Sequence, residues 1–293
     1  MTSVKEHAYA KINLYLDVIA KREDGFHEIK TVMHTVSLCD EIVVSILPSD
    51  KRNIKLTVSG NYKLPTDSRN LTYRAAELFL DRMLTDGEVH IHLNKSIPVA
   101  AGLAGGSADA AAVLRALNKL YKRPFTEKCL LGMAAELGSD VPFCLIGGTA
   151  LCTGRGEEMK RLDNKLSLYT VIAVADEHIS TPQAYAGLDE MYDDFSTGEI
   201  GEGNEHYGAL MSSLGDGVLT KMKLYNIFEN SVLPICSGAE TIKNKLLQLG
   251  ATHALMSGSG PSVFGIFTDK ASAESAAAVL VEDGFRAYFA QSV

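Results

Sequence analysis

Residues 6 to 19 alternate strictly between apolar and polar positions. Ala8, Ala10, Ile12, Leu14, Leu16 and Val18 fall on one side, and Tyr9, Lys11, Asn13, Tyr15 and Asp17 on the other. A period of two predicts a long strand with one buried face, from whose polar face Lys11 and Asn13 project side by side. Glu23-Asp24-Gly25-Phe26-His27 reads as a turn, and strands are expected at 31–37, 41–47 and 54–59. Leu71, Ala75, Leu78, Phe79 and Met83 then recur at helical spacing after Asn70, a good N-cap. A strand at 88–93 leads to a glycine-rich loop, which opens into a helix over 107–121 striped by Val113, Leu114, Leu117 and Leu120. A further helix over 127–137 ends at Gly138, and 147–153 reads as a strand. The charged segment 154–166 is the expected domain boundary, dividing the chain into 1–157 and 158–293. Beyond it come a strand at 168–175 and a helix starting at Thr181-Pro182, with threonine as N-cap and proline first in the helix. Residues 194–217, rich in Gly, Asp, Glu and Ser, read as flexible surface. Helix 238–249, strands 252–257 and 262–267, helix 270–283 and strand 285–290 complete an α+β pattern.

The loop Pro98-Val99-Ala100-Ala101-Gly102-Leu103-Ala104-Gly105-Gly106-Ser107-Ala108 carries most of the chemistry visible in the chain. Its small residues let a ligand approach the backbone, and the N-terminus of the following helix favours an anion, above all a phosphate. No basic residue lies between Pro98 and Val113, so backbone N–H groups would do the binding. The loop is neither a Walker A sequence nor a Rossmann fingerprint. Close helix packing explains the glycines equally well when the loop is taken alone.

Composition narrows the partners. At 293 residues, 46% hydrophobic and 22% charged, with a net charge of −8, the chain is globular and acidic. It lacks the basic stripe of a nucleic-acid or anionic-membrane binder. No apolar run approaches the length needed to cross a bilayer, and no signal peptide is visible. Cys39, Cys129, Cys144, Cys152 and Cys236 are odd in number and scattered, and read as buried free thiols of a cytoplasmic protein. His90 and His92 share a strand face but have no third ligand at sensible spacing, so a solvated face is expected.

Two further segments could line a site. Asp140, in Gly138–Phe143, follows the end of a helix, where a carboxylate meets the unfavourable end of the dipole. A turn aspartate bonding its own backbone accounts for it as well. Met256-Ser257-Gly258-Ser259-Gly260-Pro261-Ser262 joins two apolar strands, either as a tight hairpin or as a donor-rich ligand wall.

Ala10–Leu16, Asp24–His27, Pro98–Ala111, Gly138–Phe143 and Met256–Phe264 together resemble, in order, the motifs of the GHMP kinase superfamily. Within it they are most similar to members that phosphorylate a cytidylyl-linked methylerythritol in non-mevalonate isoprenoid synthesis. The resemblance implies a two-domain kinase with its active site in the interdomain cleft, using ATP and Mg2+ to phosphorylate a tertiary hydroxyl. It implies that Lys11 and Asp140 flank that hydroxyl and that Pro98 to Ala108 hold the ATP phosphates. Asn13, Phe26 and His27 would contact the cytidylyl group, and Thr181 its diphosphate. The magnesium ligands are left open, and Asp109 has no catalytic role. Many members carry tyrosine at the position of Phe26 and a second serine at that of Ala108. Homoserine and mevalonate kinases, or a non-catalytic nucleotide sensor, are the alternative readings. The expected assembly is a monomer or homodimer, without nucleic-acid or membrane partners.

Overall fold

The computed structural model describes residues 2–164, 167–192 and 205–293. The chain begins with two long strands, β1 (Thr2–Lys21) and β2 (His27–Leu47), followed by β3 (Asn53–Gly60). Next come α1 (Leu71–Met83), β4 (Glu88–Lys95), α2 (Gly105–Leu120), α3 (Glu127–Leu137) and α4 (Val141–Ile146). β5 (Thr149–Thr153), β6 (Glu158–Arg161), β7 (Tyr169–Val174), α5 (Thr181–Met191) and α6 (Glu205–Asp216) follow. The last elements are β8 (Tyr225–Asn226), α7 (Phe228–Val232), α8 (Ser237–Gln248), β9 (His253–Met256), β10 (Ser262–Phe267), α9 (Lys270–Glu282) and β11 (Arg286–Gln291).

Two compact units form. The first comprises residues 1–10, 39–99 and 104–147, and the second 11–38, 100–103 and 148–293. They are not separated by one cut near residue 157, because β1 and β2 each contribute one half to either unit. In the first unit the second half of β2 pairs antiparallel with β4, and β4 pairs in parallel with β3. Ile42, Val44, Val89, Ile91 and Leu93 from these strands are buried with Ala75, Ala76 and Phe79 of α1 and the alanine-rich face of α2. The small side chains of α2 let α1 pack close along it.

In the second unit β11, β7, β10 and β9 form an antiparallel sheet in that order. Its core joins Val171, Ala173, Val263 and Phe267 to Ile242 and Leu246 of α8 and Ala273 and Leu280 of α9. The first half of β2 pairs with β5, β5 with β6, and Tyr15 and Leu16 of β1 lie beside β8.

Most expected elements form within a residue or two of their expected ends, and the departures have physical causes. The strands expected at 31–37 and 41–47 are one continuous β2. β1 buries both faces from Ala10 to Val18, not one. Its polar side chains tolerate this because they satisfy one another: Lys11 donates to Asn13 (2.7 Å), Asn13 to Thr31 (2.8 Å), and Tyr15 to Asp17 (2.8 Å). Of the segment expected as flexible surface, 194–204 lies outside the described residues, whereas 205–216 is a helix. Leu210, Ser213 and Leu214 form the buried stripe of α6 that its polar composition conceals.

Candidate active site

The glycine loop takes a strained path. Ala100 (φ 52°), Gly102 (φ 75°) and Ala104 (φ 55°) all lie in the left-handed region, which costs a non-glycine residue on the order of 1–3 kcal/mol. The strain has a local consequence. Ala104 is the N-cap of α2 and has no side-chain oxygen, so α2 begins at Gly105, two residues earlier than expected, with no side-chain cap. The helices α1, α3, α5 and α9 are all capped, by Asn70, Thr126, Ser180 and Asp269 respectively. The first N–H groups of α2, at Gly105, Gly106 and Ser107, have no intrahelical acceptor and remain available to an anion. Ala108 is different. Its N–H is already bonded to Ala104 (2.9 Å) and its methyl is buried in the core of the first unit. The donor set therefore ends at Ser107, and a serine at position 108 would place its hydroxyl among apolar side chains.

The glycines serve separate ends. At Gly102 a Cβ would lie 2.0 Å from the Ser257 carbonyl oxygen, so the loop lies directly on the Gly-Ser turn between β9 and β10. The Ser257 hydroxyl also donates to the Gly102 carbonyl (3.0 Å). At Gly105 a Cβ would point at Lys95 Nζ (2.8 Å) and Ile97, beneath the helix and not into the loop. At Gly106, which is exposed, it would meet only Leu71 at 3.9 Å. Gly105→Val therefore overpacks the core and lowers stability by about 1–3 kcal/mol. Gly106→Val keeps the melting temperature and raises the ATP KM. Thermal denaturation and ATP saturation curves of the two variants separate these outcomes.

Lys11 links three motifs that are distant in sequence. Its backbone N–H donates to Leu103 of the loop (3.2 Å), and its Nζ lies 3.3 Å from the Cβ position of Gly258 in the Gly-Ser turn. It is 4% exposed, so the lysine that a strand face would ordinarily leave solvated is buried against Asn13. Asn226 shapes the turn from below, donating to the carbonyls of Met256 (2.7 Å) and Gly258 (2.8 Å). Sequence reasoning missed Asn226 and Thr31, since neither belongs to a recognisable local pattern.

Asp140 is half-buried and directly precedes α4, a short helix absent from the expected elements. The carboxylate therefore lies past the C-terminus of α3, as expected, and also at the N-terminus of α4, whose dipole offsets the first. Pro142 in the first turn of α4 was the available signal.

The expected substrate residues are also described. His27 is buried, stacks on Tyr185 at 4.5 Å and lies 2.7 Å from Asp189. Phe26 is 54% exposed with the Arg155 guanidinium 4.9 Å over its ring. Thr181 is not the N-cap of α5, because Ser180 takes that role (3.3 Å to Gln183 N–H); the Thr181 hydroxyl instead meets that of Ser259 at 2.9 Å. His90 contacts Glu88 (2.6 Å) and His92 contacts Thr57 (3.0 Å) and Ser59 (3.1 Å). Among the described residues no group of three or more His, Cys, Asp or Glu side chains could hold a metal ion. The cysteines are all free thiols, but only Cys152 and Cys236 are buried; Cys129 is exposed and Cys39 and Cys144 are half-buried, so the expected burial holds for two. No described helix is long and apolar enough to cross a membrane.

The chain is similar to known proteins over most of its length. Residues 70–148 match the GHMP kinases N terminal domain and 208–286 the GHMP kinases C terminal domain. A 4-diphosphocytidyl-2-C-methyl-D-erythritol kinase of Caldicellulosiruptor bescii is 40% identical, covering 94% of this chain and 93% of its own. The enzyme of that name from Bacillus subtilis is 40% identical, covering 90% and 88%. The chain belongs to the 4-diphosphocytidyl-2-C-methyl-D-erythritol kinase family of GHMP kinases. A crystal structure of 4-(cytidine 5'-diphospho)-2C-methyl-D-erythritol kinase agrees, with a TM-score of 0.82 at 32% identity and 98% coverage of both chains. Homoserine kinase from Cytophaga hutchinsonii (TM-score 0.71, 20% identity, 100% and 95% covered) shares the fold.

Proposed function

We propose that this protein transfers the γ-phosphate of ATP to the 2-hydroxyl of 4-diphosphocytidyl-2-C-methyl-D-erythritol. It is a small-molecule kinase, as its family is. The observation that carries the residue-level reading is the seat of Lys11, bonded through its backbone to the glycine loop and lying against the Gly-Ser turn.

Phosphoryl transfer passes through a loose transition state, so catalysis rests on positioning and charge more than on covalent help. The N–H groups of Gly105, Gly106 and Ser107 hold the triphosphate without a mobile counterion. Asp140 orients the acceptor hydroxyl and takes its proton late in the transfer. Lys11, held by Asn13, stabilises the charge developing on the attacking oxygen or on the transferred group. Asn13, Phe26 and His27 receive the cytidylyl group, with Phe26 offering a ring face for stacking, and Thr181 lies near the diphosphate. Were Mg2+ bound, the Ser107 hydroxyl in the first turn of α2 would help to hold it, and it would supply neutralisation of phosphate charge.

The test is ADP release by the purified protein with ATP, Mg2+ and each candidate alcohol. ADP should form with the cytidylyl substrate, with kcat/KM at least about 100-fold above homoserine or mevalonate. Preferential turnover of either competitor overturns the substrate assignment. Tight ATP binding with no ADP from any alcohol supports the sensor reading instead.

A further inference from the structure

Beneath the first turn of α2 lies a buried charge cluster that the mechanism above does not use. Lys95 at the end of β4 contacts both Asp40 of β2 and Asp109 of α2, the latter at 3.0 Å. All three side chains are at least 98% buried. The cluster grips both ends of the glycine loop. Asp40 Oδ1 accepts the N–H groups of Ser96 and Ile97 (2.8 Å for the latter), where the chain leaves β4. Lys95 Nζ lies against Gly105, where the loop enters α2, and Asp109 follows one helical turn later.

The inventory of charges does not close. Two carboxylates and one ammonium leave a net −1 away from water, and Asp109 Oδ1 has no hydrogen-bond partner. One added proton removes both problems, since a protonated Asp109 donates to the Asp40 carboxylate that faces it. Burial first, then the nearby Asp40 charge, push the Asp109 carboxyl up to about 8 against the opposing pull of Lys95. Lys95 and Asp40 are the charged groups that act on it. Farther along α2, Arg115 and Lys119 pair with Glu6 of β1, and Arg82 of α1 pairs with Glu136 of α3.

We propose that Asp40, Lys95 and Asp109 are positioning residues for the nucleotide, neutral as a cluster only while the two carboxyls share one proton, and that losing this proton weakens triphosphate binding at the loop above. This rests on the reading that the loop binds ATP. The sign follows from placement: deprotonation puts an uncompensated negative charge about one turn below N–H groups that must hold an anion. By linkage, ATP in turn raises the proton affinity of Asp109.

The test compares the wild type with Asp109→Asn, whose amide can donate to Asp40 at any pH. ATP KM, kcat and the KM for the alcohol are measured from pH 7 to 9.5, with titration calorimetry of ATP binding at pH 8 in two buffers of different ionisation enthalpy. The wild-type ATP KM should rise roughly three- to tenfold between pH 7.5 and 9 with the alcohol KM steady, and the protein should take up a fraction of a proton on binding ATP. In Asp109→Asn both effects should vanish, leaving ATP bound more tightly than by the wild type at pH 9. Identical pH profiles in the two proteins, with ATP bound normally, overturn the proposal alone. Failure of the wild type to bind ATP at pH 7 overturns the loop reading and the proposal with it. If Asp109→Asn does not fold, the wild-type calorimetry decides by itself, and no proton uptake at pH 8 overturns the proposal.

Discussion

Asp140→Asn is expected to lower kcat by about 10²–10⁴-fold while leaving the KM for ATP and for the alcohol within a few-fold of the wild type. The amide keeps the size and one acceptor oxygen of the carboxylate, so the hydroxyl still binds, but it neither carries the charge nor takes the proton. Asp140 accepts no capping bond from α4, so its replacement by asparagine should leave the melting temperature nearly unchanged. Steady-state kinetics with a parallel melt separates a chemical role from a structural one. Turnover within a factor of ten of the wild type would remove Asp140 from the role of base.

Lys11→Met is expected to reduce kcat by roughly 10²–10³-fold, the size of loss seen when one preorganised donor to a developing charge is removed. Methionine fills the buried space, but Asn13 Oδ1 loses the donor it has at 2.7 Å, so some stability is lost as well. Rescue distinguishes the two effects. Lys11→Arg restores a charge and a donor without the compact ammonium, and should recover stability more than rate. A Lys11→Met enzyme with normal kcat would place the charge stabilisation elsewhere.

The period-two pattern of residues 6–19 locates β1 and puts Lys11 beside Asn13, and the glycine loop is legible as a small-residue loop opening an alanine-rich helix, although its glycines taken alone fit close helix packing as well. The polar face of β1 was not legible as buried. Its burial depends on Thr31 and on the Tyr15–Asp17 bond, partners that alternation does not reveal. α4 escaped notice because six residues carry too little periodicity, and α6 because its apolar stripe is diluted by Gly and Ser. The constraint at Gly105 is not legible either. Sequence shows that a glycine is present but not which way its missing side chain would point, and the constraint comes from Lys95 and Ile97 below the helix. The cluster of Asp40, Lys95 and Asp109 has no sequence signature, since its members come from three elements spread over seventy positions.

A structure of the protein crystallised with a non-hydrolysable ATP analogue and the cytidylyl alcohol would show the catalytic arrangement itself. Phosphate oxygens are expected on the N–H groups of Gly105, Gly106 and Ser107, and the carbon-2 hydroxyl within roughly 3.2 Å of both the Lys11 ammonium and the Asp140 carboxylate. A nucleotide bound away from the first turn of α2, or an acceptor hydroxyl near only one of those two side chains, would contradict it.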